Sequence, residues 1–171
     1  MVLRLGAFES QVPDDCAICT RSGWKIPELE EPLPSHPFFN DVEQFTRFYL
    51  HKFVGLKVRS KSEYPYNCVG MVFSSRRAAI NPSYLNKILQ EDNYRPISRN
   101  EVQVGDVVVY SYRNELSHVG IILKVELIGQ TPIFTVMSKW GDVAPEFVHL
   151  IDQVPEVLGE PIAFYTDRVG T

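Results

Sequence analysis

Apolar residues fall at helical steps in the first half of this chain and in short β-branched runs in the second, and that change of texture constrains the fold most. Residues 41–53 place Val42, Phe45, Phe48, Tyr49 and Phe53 at three- and four-residue intervals, one face of a helix, with Asn40 or Asp41 suited to cap it. A second helical pattern covers residues 68–77, where Asn67 can cap and Val69, Val72 and Phe73 can bury. A third covers residues 84–92, with Pro82 acceptable in its first turn. Residues 107–110, 119–125 and 133–137 are then short runs rich in Val, Ile and Phe between turn signals, and residues 161–165 supply a fourth candidate strand. Short links favour antiparallel pairing, so the expected fold class is α+β, with N-terminal helices packed on a small antiparallel β-sheet. Pro13, Pro27, Pro32, Pro34 and Pro37 break any long helix near the start. Residues 1–60 are therefore expected as an irregular arm plus one helix packed on a core formed by residues 61–171, a single structural domain overall.

Composition narrows the partners. With 171 residues, 44% of them apolar, the chain can bury a core without staples. Its formal charge is −4 and its 17 Lys and Arg residues are scattered, densest at residues 57–61 and at Arg76-Arg77. That distribution lacks the basic stripe of a nucleic-acid binder, so no nucleic-acid partner is expected. No apolar run is long enough for a membrane span. The first residues carry too short an apolar stretch for a secretory signal, so the sequence as written reads as cytoplasmic, with export by another route or a trimmed signal left open. Three cysteines, an odd number, argue for free thiols over a disulfide framework. Cys16 and Cys19 have the spacing of a zinc or redox pair, but His36 and His51 do not complete a ligand set, and neither a metal nor another cofactor is expected. Oligomeric state is left open.

The chemistry concentrates in two segments. Asn67-Cys68-Val69-Gly70-Met71-Val72 puts a thiol at the first turn of a helix, where unpaired N–H groups and the positive dipole end favour thiolate. Ser117-His118-Val119-Gly120-Ile121-Ile122-Leu123 puts an imidazole at the head of an apolar strand. Sulfur beside imidazole is the arrangement needed for nucleophilic attack on a carbonyl.

These residues resemble the NlpC/P60 branch of the papain-like cysteine peptidases. The first segment is similar to that family's nucleophile motif. Val104-Gly105-Asp106-Val107-Val108-Val109-Tyr110 is similar to its Gly-Asp strand opening, and the His118 segment to the strand that carries its catalytic histidine. The resemblance covers roughly residues 64–168 and implies a papain-like core. It implies Cys68 as nucleophile and His118 as general base, with the Cys68 N–H in an oxyanion hole to which Tyr64 or Tyr66 contributes a hydroxyl. The family's third residue follows on the next strand. A hairpin centred near Ile128-Gly129 would place His118 across from Lys139, so Ser138 and Lys139 are the polar candidates and Ser138 the better orienter of the ring. Ser138-Lys139-Trp140-Gly141 with the later His149 also resembles a group of bacterial domains with an Asn-Cys helix start and an SKxG…H ending. Lys139 and Trp140 thus join the tyrosines as substrate-side candidates.

The function expected from this resemblance is a cysteine hydrolase or acyltransferase acting on an amide bond of a peptide or protein substrate. Two other readings stand beside it: a catalytically inactive NlpC/P60-like module that binds a peptide or partner, and a structural domain whose arm fills the groove. Free cysteine is also a common core residue, and His149 reads as a ring that bonds backbone.

Overall fold

In the computed structural model, which describes residues 17–27, 41–60 and 66–169, the three helical patterns fold as helices and the β-branched runs as parts of one sheet. Tyr64, Cys16 and most of the expected arm lie outside the described residues. The first helix, α1 (Val42–Lys52), has Asp41 at its N-cap position, with Glu43 in the first turn and Lys52 in the last complementing its dipole. Its aromatic side forms a ladder: Phe45 lies 4.8 Å from Tyr49, Tyr49 lies 5.7 Å from Phe53, and Tyr49 meets Trp140 at 5.4 Å between ring centres.

Helix α2 (Cys68–Phe73) starts where the sequence indicates and ends sooner. Asn67 Oδ1 accepts the Gly70 N–H at 3.0 Å and the Ile80 N–H at 3.2 Å, and Asn67 Nδ2 donates to the Ile80 carbonyl at 2.8 Å. One side chain thus caps the helix and clamps the returning chain. The expected extension to residue 77 fails because Ser74 Oγ reaches the carbonyl oxygens of Gly70 (2.8 Å) and Ala78 (3.2 Å), while Ser75 and Arg76 take left-handed φ values of 53° and 67°. This return passes so close that a Cβ on Gly70 would sit 1.8 Å from the Ala78 carbonyl oxygen. Gly70→Ala is expected to destabilise the fold by about 1–3 kcal/mol, read as a lower urea midpoint at unchanged slope. Helix α3 (Leu85–Glu91) follows a 3₁₀ turn, Pro82–Tyr84, and buries Leu85, Ile88 and Leu89.

Seven strands form the sheet, where four were expected: β1 (Lys57–Val58), β2 (Arg95–Ile97), β3 (Val107–Tyr112), β4 (Glu115–Ile128), β5 (Thr131–Lys139), β6 (Glu146–Leu150) and β7 (Glu160–Thr166). Their order is β1-β6-β5-β4-β3-β7-β2, with every neighbouring pair antiparallel. The protein is therefore α+β, few helices on a seven-stranded antiparallel sheet. Strands β1 and β2 are too short to carry a period, and Pro96 in β2 is tolerated because β2 is an edge.

The sheet is strongly curled. Three strand spacings separate β5 from β7, about 14 Å in a flat sheet, yet the rings of Phe134 (β5) and Phe164 (β7) lie 5.2 Å apart. Likewise Tyr110 on β3 donates its hydroxyl to the carbonyl of Ile151, just past β6, at 3.0 Å. The concave face holds one core of Val108, Tyr110, Ile122, Phe134, Trp140 and Phe147, closed by the aromatic residues of α1. The convex face holds another, in which Cys68 and Val69 of α2 and Leu85 and Ile88 of α3 pack on Val107, Val109 and Val119, with Ile18 and Ile26 from the N-terminal segment.

Candidate active site

Cys68 takes the first position of α2, as the motif implies, and is 5% exposed. Burial dominates its ionisation and pushes the thiol up to about 11, despite hydrogen bonds from the backbone of Val119 and Val69 that favour thiolate. The short helix and its capped N-terminus do not overcome desolvation.

His118 lies on β4 directly opposite Tyr110 of β3, its ring 5.2 Å from the tyrosine ring, and is 1% exposed. Both residues of an antiparallel pair project to the same face, and Tyr110 belongs to the concave core. Val119, the next residue, packs with Cys68 in the convex core. Since side chains alternate along a strand, the sheet itself stands between His118 and Cys68. Among the described residues neither His118 ring nitrogen has a hydrogen-bond partner. Burial first, and the nearby His149 second, lower its pKa to about 3. The structure does not bring the expected sulfur and imidazole together.

Ser138 shares the concave face with His118 but is engaged elsewhere. Its Oγ lies 2.8 Å from His149 Nε2 and accepts the indole N–H of Trp140 at 3.0 Å. His149 Nδ1 lies 2.8 Å from the Leu150 carbonyl, which can only accept, so Nδ1 carries the proton and Nε2 receives the Ser138 hydroxyl. The result is a closed polar chain inside an apolar core, with no group left to orient His118. His149, held neutral and lowered to about 4 mainly by burial, bonds backbone as its sequence context suggests.

Lys139 is paired with Glu146 across the β5–β6 ladder and faces the convex side, fully buried. Its Nζ donates to the Ala144 carbonyl at 2.6 Å and lies 4.8 Å from the centre of the Tyr66 ring. The Tyr66 hydroxyl donates to Glu146 at 3.0 Å, which commits it away from the oxyanion role considered for it. Trp140 is 4% exposed and stacks on Phe147 at 4.1 Å, so it packs the concave core. Cys19 is an exposed free thiol. Among the described residues no three His, Cys, Asp or Glu side chains are grouped to hold a metal ion, and no helix is long and apolar enough to cross a membrane.

One charged cluster is missing from the sequence reading. Glu146, with no exposed side-chain surface, receives Arg59 at 2.5 Å, the Arg76 guanidinium and the Tyr66 hydroxyl. Burial alone would raise its pKa, but the hydrogen bonds from Arg76, Arg59 and Tyr66 hold it below the usual carboxylate range. The only sequence signal is the pair of basic groups at residues 57–61 and 76–77, which look like solvated charge until the fold brings them to one carboxylate. Compared with known proteins, the chain matches no family model, no curated protein and no solved structure.

Proposed function

We propose that this chain is a non-catalytic module with a papain-like, NlpC/P60-type core that binds a peptide or protein partner. The observation that carries the reading is the placement of Cys68 and His118 on opposite faces of β4, each sealed in its own core. Nucleophilic attack needs thiolate and a base in hydrogen-bond reach of one another. Here the sulfur is held as thiol, and the imidazole meets an aromatic ring. The Asn67 cap and the Gly70 close approach give the Cys68 motif a structural role of its own: they fold the α2 turn back onto the sheet.

Incubation of the wild-type protein and Cys68→Ala with peptide and peptidoglycan-fragment libraries, read by mass spectrometry, tests this reading. Identical product patterns are expected. Any product formed by the wild type and absent with Cys68→Ala would restore the thiol hydrolase or acyltransferase.

A further inference from the structure

A cleft of about 590 Å³ opens between α1 and β1. Val42, Thr46, Val58 and Pro145 give it a mainly apolar lining, and two charged side chains, Arg59 and Glu43, border it. Among the described residues strand β1 is the outer edge of the sheet, paired with β6 alone. Val58 is 43% exposed, well above the value for a strand residue covered on both sides.

The two borders differ electrostatically. Glu43 is neutralised by Arg47 at 2.8 Å on the same helix. Arg59 shares a single buried carboxylate, Glu146, with Arg76, so two guanidinium groups stand against one negative charge. Among the described residues neither arginine reaches a second carboxylate. Arg59 uses one of its N–H groups on Glu146 and keeps a side chain 48% exposed at the cleft. Its head is thereby fixed in position while donors remain for a planar anion. The left-handed backbone at Ser75 and Arg76 is the local strain that brings the second guanidinium to Glu146 and completes this support.

We propose that the cleft receives the C-terminal residue of a partner polypeptide, its side chain on Val42, Val58 and Pro145 and its terminal carboxylate on Arg59. In a C-terminal residue the carboxylate and the side chain leave the same carbon, which matches one fixed cation beside a small apolar surface. An internal Asp or Glu carries its charge at the end of its own side chain, and in an extended segment the neighbouring apolar side chain points the other way. The exposed edge of β1 can pair with the residues that precede the terminus. The proposal deepens the partner-binding reading and rests on it.

The test uses the full chain and dye-labelled hexapeptides ending in Leu, Val or Phe, each made as free acid and as C-terminal amide, with binding followed by anisotropy. Free acids are expected to bind at least about tenfold tighter than their amides, a difference that Arg59→Gln abolishes and added salt weakens. Glu146 keeps Arg76 and Tyr66 in that variant, and the acid–amide contrast on the wild type needs no variant at all. Equal binding of acids and amides, or binding of neither, overturns the proposal. So does an amide peptide with an internal Asp that binds as well as the acids, or self-association of the chain that Arg59→Gln removes. These results leave the Cys68→Ala comparison untouched, so the failure of either proposal is visible separately.

Discussion

Acidification from pH 6.5 to about 4 should remove roughly 3 kcal/mol of stability for each of the two core histidines, His118 and His149. Both pKa values are lowered in the fold, to about 3 and about 4, from an ordinary 6.5. Below pH 6.5 the unfolded chain therefore binds protons that the folded chain refuses, and stability falls until the folded imidazoles titrate in turn. Glu146, Glu91 and Glu101 are shifted down from 4.5 and add their losses only at lower pH, so the interval from 6.5 to 4.5 isolates the histidines. Against a usual total of about 5–15 kcal/mol, a combined loss of about 6 kcal/mol is a large share of the whole. Urea titrations at half-unit steps of pH should show it. His118→Leu should flatten the acid slope by about half and leave stability at pH 7 unchanged or slightly raised, because no hydrogen bond is lost. His149→Leu should flatten it too but lower stability at pH 7, since Ser138 loses its acceptor.

Phe147→Ala is expected to destabilise the protein by about 3–5 kcal/mol. The ring is fully buried at the centre of the concave face, stacked on Trp140 at 4.1 Å, and its strand partner is Ser138. Trp140 in turn supports Tyr49 and Phe53 and donates to Ser138, so the cavity would loosen both the contact with α1 and the Trp140–Ser138–His149 chain. A curled sheet has few ways to collapse around such a hole, because the same face is closed on itself by Phe134 and Phe164. Chemical denaturation of this variant beside Val157→Ala, at a residue 64% exposed, measures the difference; the surface change should stay within about 0.5 kcal/mol.

The sequence carries the helices and the central strands because their periods are long and regular. Val42 through Phe53 keeps one aromatic side, and Asn67 is a cap with two uses. What it does not carry is which face of β4 meets α2. His118, Val119, Gly120 and Ile122 are all buried and Ile121 is partly so, and this stretch of the strand has no polar side from which to read an orientation. The hairpin turn contributes to the same difficulty. It falls at Gly129-Gln130, with Ile128 paired to Thr131, and a bulge at Leu123 shifts the ladder again before Ile122 pairs with Val136. A displacement of one residue exchanges faces. It puts Ser138 and Trp140, in place of Lys139, on the side of His118. The motif order in the chain is therefore compatible with a thiol–imidazole pair, and the bulge that decides which β5 residue shares a face with His118 is one that composition does not mark. The Glu146 cluster is illegible for a different reason: its three partners come from the residue just past β1, the turn after α2 and a position two residues ahead of that helix, and only the folded chain brings them to one carboxylate.

The most direct measurement is the pH profile of iodoacetamide alkylation at Cys68, in a protein with Cys16 and Cys19 replaced by serine, under native conditions and in urea. A thiol sealed in the convex core and remote from imidazole should remain unmodified from pH 6 to 9 until urea exposes it, and His118→Ala should leave its rate unchanged. Rapid native alkylation with an apparent pKa below the ordinary value of about 8.5, abolished by His118→Ala, would contradict the separation of the two residues on which this account depends.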